Sequence, residues 1–152
     1  DVVARRLLAF TGLPVTEVSI PLEFLPHIVF SGVTVAMAIK QLASTLETSF
    51  GHDMSKHAVW LGESGLYWSD GDEPGDIPVI ESAENLISHS PNPSGMSEVV
   101  ATVIPGLTHS RIVRIRDSRR QFSELVRAQE VIHSLGEHNT TTIRYGSDEG
   151  WG

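Results

Sequence analysis

The sequence predicts an α+β fold in which one antiparallel sheet of about five or six strands carries helices mainly on one face. Stretches with an apolar residue at every second position alternate with stretches at helical spacing. Turns containing glycine or proline separate these stretches. The resulting order is helix, two strands, helix, two strands, an excursion, two strands, helix. This order favours a layer of helices on an antiparallel sheet.

The length and composition are those of one soluble globular domain. The chain has 152 residues and ordinary hydrophobic content, which is enough to bury a core. We predict a single α+β domain over residues 1–138 and a polar tail over residues 139–152, with a possible short strand at 141–145. The chain has no cysteine, so disulfides and thiolate metal sites are excluded.

The first half is predicted to contain two helices and two strands. Residues 34–50 have the clearest helical spacing of apolar residues, with Thr34 as the N-cap and Gly51 ending the helix. A shorter helix is predicted over residues 2–10. Strands are predicted at residues 14–21 and 27–30.

A hairpin is predicted from residues 57–61 and 66–69, joined by the sequence Gly-Glu-Ser-Gly. The predicted cross-strand pairs are Leu61 with Leu66, Trp60 with Tyr67, and Val59 with Trp68. Both faces of this hairpin are apolar, and helices on one side of a sheet cover only one of them. We therefore predict that Trp60 and Tyr67 form a solvent-facing patch at a protein interface. The alternative is that residues 69–98 or the C-terminal tail cover this face within one chain.

The second half is predicted to end in a strand followed by a helix. Residues 111–116 alternate with period two, and residues 99–104 are expected to pair with them in antiparallel fashion. A helix is predicted over residues 118–136, with Phe122, Leu125 and Ile132 facing the core. Residues 82–88 are predicted to form one or two helical turns and residues 89–95 a loop.

Four arginines surround the predicted start of the last helix: Arg114, Arg116, Arg119 and Arg120. Free N–H groups at a helix N-terminus attract anions. The arginines therefore form a candidate anion-binding site, and the alternative is that they are solvated surface residues.

The candidates for chemistry are His52, Asp53 and His57, with Glu63 in the hairpin loop. A histidine and a carboxylate can act as a general base and the group that orients it. The two histidines are five residues apart, whereas a helical zinc motif needs four. The sequence therefore predicts no metal site and no cofactor, and an acid–base or metal-assisted hydrolase is kept only as an alternative.

The charge distribution indicates a protein partner. The formal net charge is −8, so nucleic acid is an unlikely partner. Residues 41–110 contain ten acidic residues and one lysine, whereas residues 111–127 contain six arginines and two acidic residues. This asymmetry is typical of charge-guided contact with another protein or a second copy, and the equally supported alternative is that the fold brings the two regions together within one chain. No signal peptide or membrane-spanning stretch is visible, and the localisation stays open.

These observations favour a non-enzymatic protein-interaction or assembly subunit, or a sensor-like domain, that acts through an oligomeric interface. The order of elements resembles that of profilin-like folds, including PAS, GAF and roadblock domains, in topology alone. A hydrolase using His52, Asp53 and His57 is one alternative. A small-ligand-binding domain, with its ligand between sheet and helix, is the other.

Overall fold

The computed structural model describes residues 1–25, 27–73 and 75–146. Within these residues the chain has two helices and ten strands, and it forms two compact units. Unit 1 comprises residues 1–71, and unit 2 the described residues from 72 onwards. The α+β class is confirmed. The single sheet of five or six strands is wrong, because the strands form three sheets of three or four strands.

Both helices lie in unit 1: α1 is Val2–Ala9 and α2 is Val35–Phe50. The hydroxyl of Thr34 accepts a hydrogen bond from the Met37 N–H at 3.2 Å, which satisfies one of the free donors at the start of α2. Gly51 ends α2 with φ of 74°, a left-handed conformation that costs glycine little. No helix in the described part of the chain is long and apolar enough to cross a membrane.

The sheet of unit 1 has three strands: β1 (Val15–Val18), β2 (Ala58–Gly62) and β3 (Gly65–Ser69). Strand β3 is central, with β2 antiparallel on one side and β1 parallel on the other. The predicted hairpin register is confirmed at every pair named above. The side chains of Leu66 and Trp68 share a buried core with both helices.

Residues 27–30 do not form the predicted strand. Both sides of β3 are already occupied, by β1 and β2. Ile28 and Phe30 instead pack, partly buried, against the core of unit 1. This segment therefore contributes apolar burial without a ladder of backbone hydrogen bonds.

Unit 2 is built from seven strands in its described residues. They are β4 (Val79–Glu81), β5 (Leu86–Ser90), β6 (Ser97–Thr102), β7 (Ile112–Asp117), β8 (Phe122–Arg127), β9 (Glu130–Ser134) and β10 (Thr140–Tyr145). One sheet has the order β4-β7-β8 and the other the order β5-β6-β10-β9. Apolar residues from both sheets form one core, so unit 2 is a β-sandwich.

The predicted pairing of residues 99–104 with residues 111–116 is wrong. Strand β6 lies between β5 and β10, and β7 lies between β4 and β8. The two strands therefore belong to facing sheets. Their inward residues, such as Val99 and Ile115, meet in the core instead of sharing a ladder.

The helix predicted over residues 118–136 is wrong, because this stretch forms β8 and β9. The carboxylate of Asp117 accepts a hydrogen bond from the Arg119 N–H at 3.1 Å, and Gln121 takes φ of 54°. Together they close a turn that sends β8 back along β7. Leu125 and Ile132 were predicted to face the core but are 48% and 40% exposed.

The helical turns predicted over residues 82–88 are also wrong, because β5 begins at Leu86. A turn precedes it, with Ala83 at φ of 70°. The side-chain oxygen of Asn85 accepts a hydrogen bond from the Glu81 N–H at 2.8 Å, and the Asn85 amide donates to the Val79 carbonyl at 2.9 Å. These bonds favour a turn over a helix, because a short polar side chain competes for backbone groups.

The stretch predicted as a polar tail contains β10, which pairs with both β6 and β9. Thr141 and Ile143 are fully buried on this strand. Residues 140–145 are therefore an interior strand, and residues 147–152 of the predicted tail lie outside the described residues. The single domain predicted over residues 1–138 stays a prediction, because two compact units can belong to one domain or to two.

Truncation of two residues that lie on neighbouring strands tests the strand assignment. Ile115→Ala removes a fully buried side chain and should cost about 2–5 kcal/mol of unfolding free energy in urea denaturation. Leu125→Ala truncates a half-exposed side chain and should cost less than about 1 kcal/mol. Equal costs for the two variants would contradict the strand assignment and favour the helical stripe.

A glycine at position 121 tests the same assignment by the sign of its effect. Gln121→Gly removes the strain of a left-handed side-chain-bearing residue and should stabilise the protein by about 0.5–1 kcal/mol. Within a helix the same change would destabilise by about 1 kcal/mol. Ser123→Gly, at an extended position in β8, is the matched control and should destabilise. A destabilised Gln121→Gly would argue against the hairpin.

Candidate functional site

A histidine, an aspartate and a tyrosine are buried together in the β-sandwich of unit 2. His89 lies on β5 and Tyr145 at the end of β10, both in the four-stranded sheet. Asp117 lies at the end of β7, in the facing sheet. The cluster therefore joins the two sheets through side chains, and Asp117 is only 1% exposed.

The hydrogen bonds of this cluster define the tautomer of the His89 ring. Its Nδ1 lies 3.0 Å from the Asp117 Oδ2, and its Nε2 lies 2.7 Å from the Tyr145 hydroxyl. An ionised carboxylate only accepts, so Nδ1 carries a proton and donates to Asp117. In a neutral ring Nε2 then accepts a hydrogen bond from the Tyr145 hydroxyl. The Phe122 ring packs edge-on against His89 at a centroid distance of 4.9 Å.

Asp117 is ionised despite its burial. Burial alone would raise the pKa of Asp117, but hydrogen bonds from His89 and the Arg119 N–H, together with the charge of Arg120, outweigh it. The pKa of Asp117 is therefore lowered. The guanidinium of Arg120 lies 3.4 Å from Oδ2, and the Ser82 hydroxyl lies 3.4 Å from Oδ1. Both carboxylate oxygens thus have partners, as a buried charge requires.

Tyr145 is the neutral end of the cluster. Burial raises the pKa of the Tyr145 phenol, a hydrogen bond with Ser97 opposes this, and the negative charges of Glu124 and Asp117 add to the increase. The phenol therefore keeps its proton and can donate a hydrogen bond to the Nε2 of His89.

The order aspartate, histidine, hydroxyl is also that of hydrolytic triads. Here the side chains of His89 and Asp117 are almost completely buried, and Tyr145 is buried as well. A shallow depression of about 340 Å³ reaches Asp117, Ser82 and Gln121, but neither His89 nor Tyr145 lines it. The cluster therefore holds the two sheets together and presents no hydroxyl to a substrate.

Sequence reasoning missed this cluster because its members are 28 and 56 positions apart along the chain. The sequence predicts a loop at His89, and it predicts a polar tail at Tyr145 with a possible short strand over residues 141–145. Period-two alternation in residues 140–145 was the available signal, since it places Thr141, Ile143 and Tyr145 on one face.

The structure does not assemble the predicted catalytic residues into one network. His52 Nε2 lies 2.6 Å from the Glu23 carboxylate. Asp53 accepts hydrogen bonds from the Ser55 hydroxyl and the Ser55 N–H, and these bonds lower the pKa of Asp53. His57 lies before β2, and Glu63 lies in the turn between β2 and β3. No group of three histidine or carboxylate side chains in the described residues is placed to hold a metal ion.

An anion site at the four arginines stays a prediction, but the helix N-terminus that supported it does not form, because Arg119 and Arg120 lie in the β7–β8 turn. Arg120 interacts with Asp117, and the Arg116 guanidinium lies 3.4 Å from the Glu81 carboxylate. Arg114 lies on β7 and faces away from the core. Arg119 and Arg120 are thus neighbours that both bond to Asp117, whereas Arg114 and Arg116 lie on β7.

The predicted exposed patch at Trp60 and Tyr67 is also wrong. The two rings stack with a centroid distance of 5.2 Å and an interplanar angle of 5°. They are only 3% and 4% exposed. The prediction of an interface at these rings depended on an aromatic patch that faces water, and this support is therefore removed.

Unit 1 has instead an apolar groove of about 150 Å³. It is bordered by the start of α1, by residues 20–25 and by α2, and the buried side chains of Leu42 and Leu46 form its floor. Val2 and Phe24 line it and are strongly exposed. Leu22, between the lining residues Pro21 and Glu23, is strongly exposed too.

The sequence matches no protein-family model, and no curated protein is significantly similar to it.

Because the pKa of Asp117 is lowered in the folded state, the free energy of unfolding should decrease on acidification. The contribution of the carboxylate is fully present above about pH 5, and it is lost as the pH falls through the lowered folded-state pKa. Asp117→Asn should cost about 1–3 kcal/mol at pH 7. In urea denaturation at pH 7 and pH 3, the variant should lose less stability on acidification than the wild type.

Asp53→Asn is the matched control, because the pKa of Asp53 is lowered as well but its carboxylate is exposed, and its hydrogen bonds within the described residues are to Ser55. It should change the pH dependence much less than Asp117→Asn does. An identical pH dependence in wild type and Asp117→Asn would show that the buried carboxylate does not stabilise the fold.

Proposed function

We propose that the protein is a non-enzymatic assembly subunit that binds a second copy of itself through the apolar groove of unit 1. The observation that carries this proposal is the position of Phe24, which is 84% exposed on the edge of the groove. Large apolar side chains beside an apolar depression are typical of protein interaction sites.

The local sequence explains why Leu22 and Phe24 face outwards. Residues 20–25 follow β1 and belong to no helix or strand. Ile20 and Leu25 pack against the core of unit 1. Because these two side chains anchor the segment, Leu22 and Phe24 between them remain in solvent.

A protruding ring beside a groove suits a two-fold symmetric dimer. In such a dimer the same patch is used by both copies, so Phe24 of each copy can enter the groove of the other. Full burial of one phenylalanine side chain contributes about 1.5–3 kcal/mol, and the symmetry doubles this contribution.

The charges near the groove are compatible with close approach of two copies. The Asp1 carboxylate lies 3.2 Å from the Arg5 guanidinium, and Glu23 is bonded to His52. Both acidic side chains that line the groove therefore have a basic partner within the same copy. The Asp1–Arg5 ion pair reduces the repulsion that the Asp1 carboxylates of two copies would otherwise exert on each other.

A hydrolytic function has less support. It would use His52, Asp53 and His57, but hydrogen bonds direct His52 to Glu23 and Asp53 to Ser55. His89, the histidine of unit 2 that is hydrogen-bonded to Asp117 and Tyr145, is buried away from substrate. The exposed apolar groove therefore supports binding better than these histidines and carboxylates support hydrolysis.

Sedimentation equilibrium tests the proposal with the intact chain. At about 50 µM the wild type should be dimeric, because a specific interface of standard size is populated in this range. Phe24→Ser should be monomeric, since it removes the side chain that would enter the groove.

Phe10→Ser is the matched control. Phe10 is a strongly exposed phenylalanine of unit 1 that does not line the groove, so this variant should remain dimeric. A monomeric wild type at about 50 µM would overturn the proposal. So would equal dissociation of the dimer in both variants.

A further inference from the structure

The outer face of the sheet β4-β7-β8 in unit 2 combines arginines with exposed apolar side chains. The register places Val79, Arg114 and Leu125 side by side across the three strands, and Glu81, Arg116 and Ser123 in the next row. These six residues are called the arginine face below. The opposite side of the sheet carries core residues such as Ile80, Val113 and Ile115.

Arg114 is the centre of the arginine face. Within the described residues its guanidinium forms no ion pair and no hydrogen bond. Its neighbours in the row, Val79 and Leu125, are 39% and 48% exposed. An arginine that is partly buried between exposed apolar side chains has the composition of an interface hot spot.

The other polar residues of the arginine face differ from Arg114. Arg116 already lies near Glu81, at 3.4 Å. The adjacent Arg127 on β8 donates to the Ser110 carbonyl at 2.7 Å. Three arginines and one glutamate thus give this part of the sheet a positive charge, on a chain whose formal net charge is −8.

We infer that the arginine face binds a protein segment in which a carboxylate lies beside apolar side chains. The planar guanidinium of Arg114 can hold a carboxylate through two parallel hydrogen bonds. The apolar side chains of the segment pack on Val79 and Leu125. This inference concerns unit 2 and does not depend on self-association through the groove of unit 1.

The chemistry favours a protein over a polyanion. Nucleic acids bind through many phosphate contacts to basic residues on a positively charged surface. Here a single guanidinium, that of Arg114, has no ion-pair partner among its strand neighbours, and the apolar side chains of Val79 and Leu125 flank it. A single carboxylate with apolar neighbours matches this arrangement.

Selection from a phage-displayed library of random dodecapeptides tests the inference. The full chain should select sequences in which Asp or Glu lies beside Leu, Ile, Val or Phe. The affinity of a selected peptide, measured by fluorescence anisotropy, should fall about tenfold or more for Arg114→Gln. It should fall several-fold for Leu125→Ser and should weaken as NaCl is raised.

Arg119→Gln is the matched control, because Arg119 is an exposed arginine in the β7–β8 turn and lies outside the arginine face. This variant should bind the peptide like the wild type. Thermal unfolding should confirm that Arg114→Gln folds, since its guanidinium bonds to nothing in the described residues.

Three results would each overturn the inference. The selection could return no acidic sequences, or the selected peptides could bind Arg114→Gln as tightly as the wild type. A heparin oligosaccharide could bind with the same dependence on Arg114, which would identify a general polyanion site.

Discussion

A carboxylate buried between two sheets has to be fully hydrogen-bonded, because removing an isolated charge from water is costly. Asp117 meets this requirement with a histidine, a backbone N–H, a hydroxyl and an arginine. These partners come from strand β5, from the turn that precedes it, and from the β7–β8 turn, which supplies both the Arg119 N–H and the Arg120 guanidinium. The ionised carboxylate therefore constrains the turn, the facing sheet and the Tyr145 end of β10 together.

The buried cluster around Asp117 holds the two sheets of unit 2 together and presents no hydroxyl to a substrate. In the described residues, the network of Asp117, His89 and Tyr145 has the chemical order of a hydrolytic triad but is closed to solvent at His89 and Tyr145. Our two binding proposals therefore rest on other surfaces, the arginine face of unit 2 and the groove of unit 1. Both surfaces present apolar side chains beside charged ones.

Local signals in the sequence were sufficient for several elements. The helix α2 has a capping threonine, a regular apolar stripe and a terminal glycine, so it was predicted to within one residue at its start. The hairpin register followed from a turn with glycine at both ends and from strict pairing across it. In α2 and in the β2–β3 hairpin, the capping and turn residues lie within a few residues of the element that they determine.

Only the tertiary structure decided the rest, because the deciding partners are far away in the chain. The apolar residues of 122–134 fit both the helical period and the strand period. This stretch forms strands because β8 pairs with β7 and β9 pairs with β10. Burial of Trp60 and Tyr67 could not be deduced from a hairpin with two apolar faces. The sequence by itself determined elements with local caps and turns, whereas long-range hydrogen bonding decided strand partners and the buried cluster around Asp117.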